Sequence, residues 1–338
     1  MAVLEQEQER GAASAGKASR RITPLGALYL GLFVLGLLAP WVAYPVFLMK
    51  ILCFALFASA FNLLLGFVGL LSFGHAAFLA TGAYITGFLL AEYPGLSPVL
   101  GIMAGTLGAV VLGTLFGALA IRRQGIYFAM VTLALAQMMF FFFVQAPFTH
   151  GEDGLHGVPR GELFGLFDLK NNHTLYYFVF AIFVAAFVLI RRVVHSPFGQ
   201  VLKAIRENEP RAISLGYHTD AYKLVAFVLS AGLAGLAGLA GATKTLVFQL
   251  ASLGDASWHM SGEVILMTLL GGVGTLLGPL VGSGLVIGLQ HQLAQSALGD
   301  WVSVILGAIF VICVLSFRSG IVGECQRWLE KRKERDEV

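Results

Sequence analysis

An all-α integral membrane fold is what this chain predicts, and three observations predict it. Of its 338 residues, 57% are hydrophobic and only 12% are charged, about half the charged share of a soluble domain. Apolar runs recur at close to the roughly 20 residues that a membrane-crossing helix needs. Runs such as IYFAMVTLALAQMMFFFFV, residues 126–144, have no polar face, whereas a soluble helical bundle needs one on each surface helix.

The elements follow in order. Residues 1–24 are polar, so a disordered cytoplasmic tail is expected, with Arg20 and Arg21 just before the first apolar run. That run, 25–43, is followed by Trp41, Tyr44 and Pro45 rather than a small-residue cleavage site, which predicts a membrane span and not a removable signal. Further spans are expected at 47–66, 72–91, 97–120, 125–146, 174–194, 221–243, 277–296 and 301–318, with a short broken piece at 261–273. Residues 25–318 then make one transmembrane domain, and 319–338 a charged cytoplasmic tail.

Charge decides the count. Counting the broken piece as a crossing gives about ten crossings and puts both termini in the cytoplasm. Under that count 18 of the 22 Lys and Arg residues face inward, as basic loops resist translocation. Glu92, Glu152, Asp153, Glu162, Asp168, Asp255, Glu263 and Asp300 fall on the other side. Ten crossings divide into five and five, and an odd set inverts when repeated. The third and eighth crossings would then correspond. Both are interrupted by glycine: GLLSFGHAAFLATGAYITG at 69–87 and SGEVILMTLLGGVGTLLGP at 261–279. Paired broken segments in matching halves point to a transport site, although glycines that merely allow tight helix packing read the same way.

One stretch departs from the rest. Residues 195–220 hold Lys203, Arg206, Glu207, Asn208, Glu209, Arg211 and Asp220, charges too costly for lipid. Phe198, Val201, Leu202 and Ile205 recur at helical spacing, and Pro210 can start a second helix carrying Ala212, Ile213, Leu215 and Gly216. Two short amphipathic helices on the inner surface are expected. They would serve either as a connector lying against anionic lipid headgroups or as a docking surface for a partner.

The chain carries no G-x-x-x-x-G-K-[ST] phosphate loop; GATKT at 241–245 lacks the spacing. No catalytic constellation or metal-ligand cluster is legible, and Cys53, Cys313 and Cys325 show no paired spacing. An enzyme, a cofactor and a nucleic-acid partner are therefore not expected. The run AGLAGLAGLAGA at 231–242 sets small residues four apart, which lets helix backbones approach. Polar groups in the broken segments, Ser72, His75, Thr81, Tyr84, Glu263, Gly272 and Thr275, are the candidate substrate-pathway positions. For His75, a core hydrogen bond is the plainer alternative. The outer loop 147–173 could receive a delivering protein or simply be solvated.

SPFGQVLKAIRENEPRAISLGYHTDAYKLVAFVLSAGLAGLAGL closely resembles the cytoplasmic loop and following span of branched-chain amino-acid ABC permeases of the LivM type. GIYFAMVTLALAQ, HGEDGLHGVP and the 261–279 segment resemble the same family, and SFGHAAFLATGAY is similar to an early segment shared by LivH and LivM permeases. The resemblance spans roughly residues 50–320. It implies an inner-membrane importer with a second permease subunit of LivH type, two ABC ATPase subunits and a periplasmic substrate-binding protein. It also implies that Phe198, Leu202, Ile205, Arg206, Glu207, Asn208, Arg211, Ala212 and Gly216 couple to the ATPases. PRAISLG at 210–216 fits the wider Glu-Ala-Ala…Gly loop motif only in part. Urea or amide permeases of the same family, and a proton-coupled carrier titrating Glu263, Asp300 or His75, remain the competing expectations.

Overall fold

A computed structural model describes residues 24–93, 95–163, 167–236, 245–296, 301–316, 320–324 and 327–328. Expectations for the N-terminal tail to residue 23, for Lys244 and Asp300, for 237–242 of the small-residue run and for residues 329–338 lie outside the described residues. The chain divides into two units, one ending at Tyr44 and one beginning at Pro45. The first contributes one apolar helix, α1 (Pro24–Val42).

The second unit contains α2 (Pro45–Phe67), α3 (His75–Glu92), α4 (Pro98–Ala120), α5 (Ile126–Gln145) and α6 (Asn172–His195). Two short helices follow, α7 (Pro197–Glu207) and α8 (Glu209–Ser214), then α9 (Thr219–Leu236), α10 (Trp258–Gly271), α11 (Gly278–Ala294) and α12 (Val302–Ser316). Proline opens α2, α4 and α7, where the missing N–H costs nothing. Among the described residues, α2, α4, α5, α6 and α9 are long and apolar enough to cross a membrane. Among the described residues the strands are four, each of two residues: β1 (Leu155–His156), β2 (Glu162–Leu163), β3 (Phe167–Asp168) and β4 (Leu250–Ala251). β1 pairs antiparallel with β4, and β2 with β3.

α2 is the post of this unit: 78% of its apolar window is buried, against 28% for α5. It is apolar on every side, as a helix enclosed by other helices must be, and it packs on α6, α9, α10 and α11. α4 and α9 approach so closely that a methyl group on Gly113 or Gly235 would overlap Ala231 or Ala109. These are the small-residue contacts expected for the part of the 231–242 run that is described.

Two boundaries differ from expectation. The third predicted span begins at 72, but the helix begins at His75, because residues 70–74 are held by other bonds: Phe73 N–H donates to Thr132 Oγ1 at 3.2 Å and Gly74 N–H to Ser72 Oγ at 3.2 Å. The eighth segment is less short than it looks. α10 starts at Trp258, three residues before the predicted 261, after a 3₁₀ turn over Leu253–Ala256.

Candidate functional site

The polar island folds as its spacing predicts. Ser196 caps α7, its hydroxyl accepting from Gly199 N–H at 3.3 Å. Asn208 caps α8, its carbonyl oxygen accepting from Arg211 N–H at 3.1 Å. Gly216, at φ +89°, ends the second helix. Leu202, Ile205 and Ala212 are buried and Phe198 stacks on Tyr222 with ring centroids 5.6 Å apart. The apolar members of the expected coupling set thus face the chain's own bundle. Exposed on the island are Arg206, Glu207, Asn208, Arg211, Ile213, Leu215 and Gly216, among others.

A hydrogen bond from a charged side chain and an ion pair tie the island to the helices. Arg206 Nη1 donates to the Gly66 carbonyl at the end of α2. Its guanidinium also lies against Gly274, 3.2 Å from where a side chain there would start. Lys223, in the first turns of α9 and 2% exposed, pairs with Glu209, which also accepts from Thr219 Oγ1 at 3.2 Å. The island therefore bridges the ends of α2 and α9.

Beside Arg206 the connection between α10 and α11 is fastened to α2 by one side chain. Asn62 Nδ2 donates to the Thr275 carbonyl at 2.8 Å, and Gly274 N–H donates to Asn62 Oδ1 at 2.9 Å. Thr275 Oγ1 donates to the Gly272 carbonyl at 2.8 Å and accepts from Gly278 N–H at 3.0 Å. Gly272 and Gly274 have φ of 127° and 77°, values that a side chain at either position would strain.

The remaining pathway candidates separate into two places. Ser72 and His75 lie in a buried polar junction, where His75 Nε2 is 2.8 Å from Ser230 Oγ, Ser230 Oγ donates to the Ala60 carbonyl at 2.6 Å, and Ala76 N–H donates to Ser261 Oγ at 3.0 Å. Thr81 and Tyr84 lie farther along α3. Thr81 bonds its own helix at Ala77, and Tyr84 stacks on Phe143 at 4.7 Å. Glu263 is half-buried in α10. The expected set is thus not one pocket, since Gly272 and Thr275 sit with Arg206 at the other end of α10. In the 147–173 loop Arg160 donates to the carbonyls of Leu246 and Val247 at 3.1 and 2.8 Å and to Asn172 Oδ1 at 3.0 Å, holding the loop against the segment before α10.

Sequence reasoning missed Asn62, Ser230, Ser261 and the Glu209–Lys223 pair. Asn62 was findable: it is the one amide in the apolar run 45–67, where an unsatisfied polar group is costly. Ser230 and Ser261 give no such cue, because a serine can satisfy its hydroxyl on its own helix. Among the described residues, no group of three or more His, Cys, Asp or Glu is placed to hold a metal ion.

Residues 44–314 match the family model described as branched-chain amino acid transport system / permease component. The chain belongs to that family. It is 27% identical to the high-affinity branched-chain amino acid transport system permease protein LivM of Escherichia coli (strain K12) over 86% of this chain and 74% of the relative. The LivM protein of Salmonella typhimurium is 26% identical over the same shares, and the E. coli K12 LivH permease 23% identical over 80% and 91%. No solved structure matches the chain. These permease relatives are named as transport proteins rather than enzymes. With its apolar helices, this member of the permease family is a multi-pass membrane protein.

Proposed function

We propose that this chain is one permease subunit of an ATP-driven ABC importer in the bacterial inner membrane, forming part of the path for branched-chain amino acids. The other members are a second permease of LivH type, two ABC ATPase subunits that hydrolyse ATP, and a periplasmic binding protein that delivers substrate. Residues 25–318 make one transmembrane domain of ten crossings with both termini cytoplasmic. The outer loop 147–173 faces the binding protein and the 195–220 island faces the ATPases. Its outward residues, Glu207, Asn208, Arg211 and Gly216, meet the ATPase, while Phe198, Leu202, Ile205, Arg206 and Ala212 fix the island to the helices. Ser72, His75, Thr81, Tyr84, Glu263, Gly272 and Thr275 belong to the moving path.

One observation carries this reading. Among the described residues, the dense charged segment between the apolar helices is bonded through Arg206 to α2 and lies against Gly274 of the α10–α11 connection, so a push on the island would reach the helices that line a path. Co-purification from membranes tests it. Two co-eluting ATPase subunits and a second permease are expected, with ATP-dependent uptake that leucine, isoleucine and valine inhibit. Uptake that urea or an amide inhibits instead would move the substrate to the other branch of the family. Accumulation by the isolated chain under a pH gradient would overturn the ATP-driven role.

A further inference from the structure

Three parts of the chain enclose an open cavity of about 830 Å³, a size within the range of small-molecule sites. They are the residues before α4, the 147–173 loop and the segment before α10. The described walls carry charges of both signs: Arg160 and Lys170 are cations and Glu162 is a carboxylate. Ser97 adds a hydroxyl, and Leu96 and Pro159 add apolar surface.

These charges are not spent on one another. Among the described residues, neither the Glu162 carboxylate nor the Lys170 ammonium makes an ion pair or a hydrogen bond. Arg160 is held differently. Its guanidinium donates to the carbonyls of Leu246, Lys170 and Val247 and to Asn172 Oδ1, at 2.8–3.4 Å. Those bonds use four of its five N–H groups and fix it in place, yet every acceptor is a neutral oxygen. A fixed positive charge without a carboxylate to balance it draws an anion into a cleft. The Ser97 hydroxyl oxygen is itself buried in the wall and has no hydrogen-bond partner among the described residues.

An anion alone is a poor match. Asp168 stands directly opposite Glu162 in the β2–β3 register, so an acidic group from a protein surface would meet two carboxylates beside the two cations. A small molecule with both signs on neighbouring atoms satisfies Lys170 and Glu162 together. We propose that this cavity is an entry site for a zwitterionic amino acid. Its carboxylate lies at Lys170 in the field of Arg160, its ammonium at Glu162, and an aliphatic side chain lies along Leu96 and Pro159. Lys170 and Glu162 are exposed, so the hold is weak, which suits a station that passes its cargo on. The proposal rests on the amino-acid importer reading, and it adds a first place where this chain takes the substrate.

Ligands that each lack one charge read the two contacts separately. Leucine, leucinamide (no carboxylate) and 4-methylpentanoate (no ammonium) are titrated onto the full complex in nanodiscs without binding protein, with binding followed by saturation-transfer NMR. K170M is expected to weaken leucine and 4-methylpentanoate by about threefold, the scale of one exposed ion pair, and to leave leucinamide unchanged. E162Q is expected to weaken leucine and leucinamide by about as much and to leave 4-methylpentanoate unchanged. Both side chains are exposed, so both variants should fold as the wild type does. Losses that ignore which charge the ligand carries, or no loss at all, overturn the site. Variants that bind leucine normally but capture the loaded binding protein less well show that the cavity receives protein, and overturn it as well. Uptake by the complete transporter in vesicles tests the other reading. A wild-type complex that shows the ligand-matched losses yet imports no amino acid overturns the importer role, and one that imports leucine without them overturns only the entry site.

Discussion

Asn62 shows how one side chain decides what a buried helix can do. Ser59, one turn earlier on α2, satisfies its hydroxyl on its own helix at Ala55, 2.7 Å away. An amide in the same setting has two groups to satisfy, and Asn62 spends both on residues more than 200 positions away in sequence. Replacing it by leucine removes both bonds and strands the Gly274 N–H and the Thr275 carbonyl. The expected cost is about 1–3 kcal/mol, read as a lower melting temperature of the purified chain, and N62D is expected to keep the bond from Gly274 and lose only part. The Glu209–Lys223 pair makes a second residue-scale prediction. E209Q leaves the buried Lys223 ammonium without its counter-charge. The loss should fall below the about 3–5 kcal/mol typical of a fully buried pair, since Glu209 keeps 19% exposure. The double variant E209Q/K223M is expected to be more stable than E209Q alone, and a double variant that is less stable would show that Lys223 has another essential partner.

At the scale of elements, much of the fold was legible because hydropathy and charge act locally. Among the described residues, apolar runs gave α2, α4, α5 and α6 to within a few residues, and the 198–205 spacing with Pro210 gave α7 and α8. The interior start of α3 was not legible, because one of the bonds that hold residues 70–74 off the helix comes from Thr132 on α5, about sixty residues away. The candidate site was readable in its members and not in its grouping. Gly272 and Thr275 share a motif with Ser261 in sequence, but α10 places them a helix length apart. Glycine explains why α10 and α11 stay together. A methyl on Gly282 would overlap the Met267 carbonyl, whereas Gly288, on the same helix, has open space around it. G282A is expected to lower the yield of folded chain in membranes severely and G288A to leave it near wild type, because small residues at a helix crossing allow backbone approach. Similar yields for the two would mean that the hairpin tolerates separation.

At the scale of the whole molecule the question is how a force applied at the island reaches the interior. Arg206 and Arg211 belong to the same charged stretch, but the structure gives them different work. Both are exposed, but Arg206 is bonded inward to Gly66 and lies against Gly274, while the Arg211 side chain makes no bond to the helices among those described. An R206E/R211E variant would therefore break the inner latch and the outer surface at once. The single variants separate them. R211E is expected to weaken co-purification of the ATPase subunits, with stability near wild type, since exposed substitutions usually shift it by about 0.5 kcal/mol or less. R206E keeps the outward face, so ATPase subunits should still co-purify, yet ATP hydrolysed per amino acid transported should rise by about fivefold or more, the lower end of typical coupling between sites. R206K, which retains a donor for the Gly66 carbonyl, should restore most of that ratio. If R206E left the ratio unchanged in an assembled complex, force would have to enter the helices elsewhere, and the Glu209–Lys223 link to α9 would be the remaining bonded route from the island.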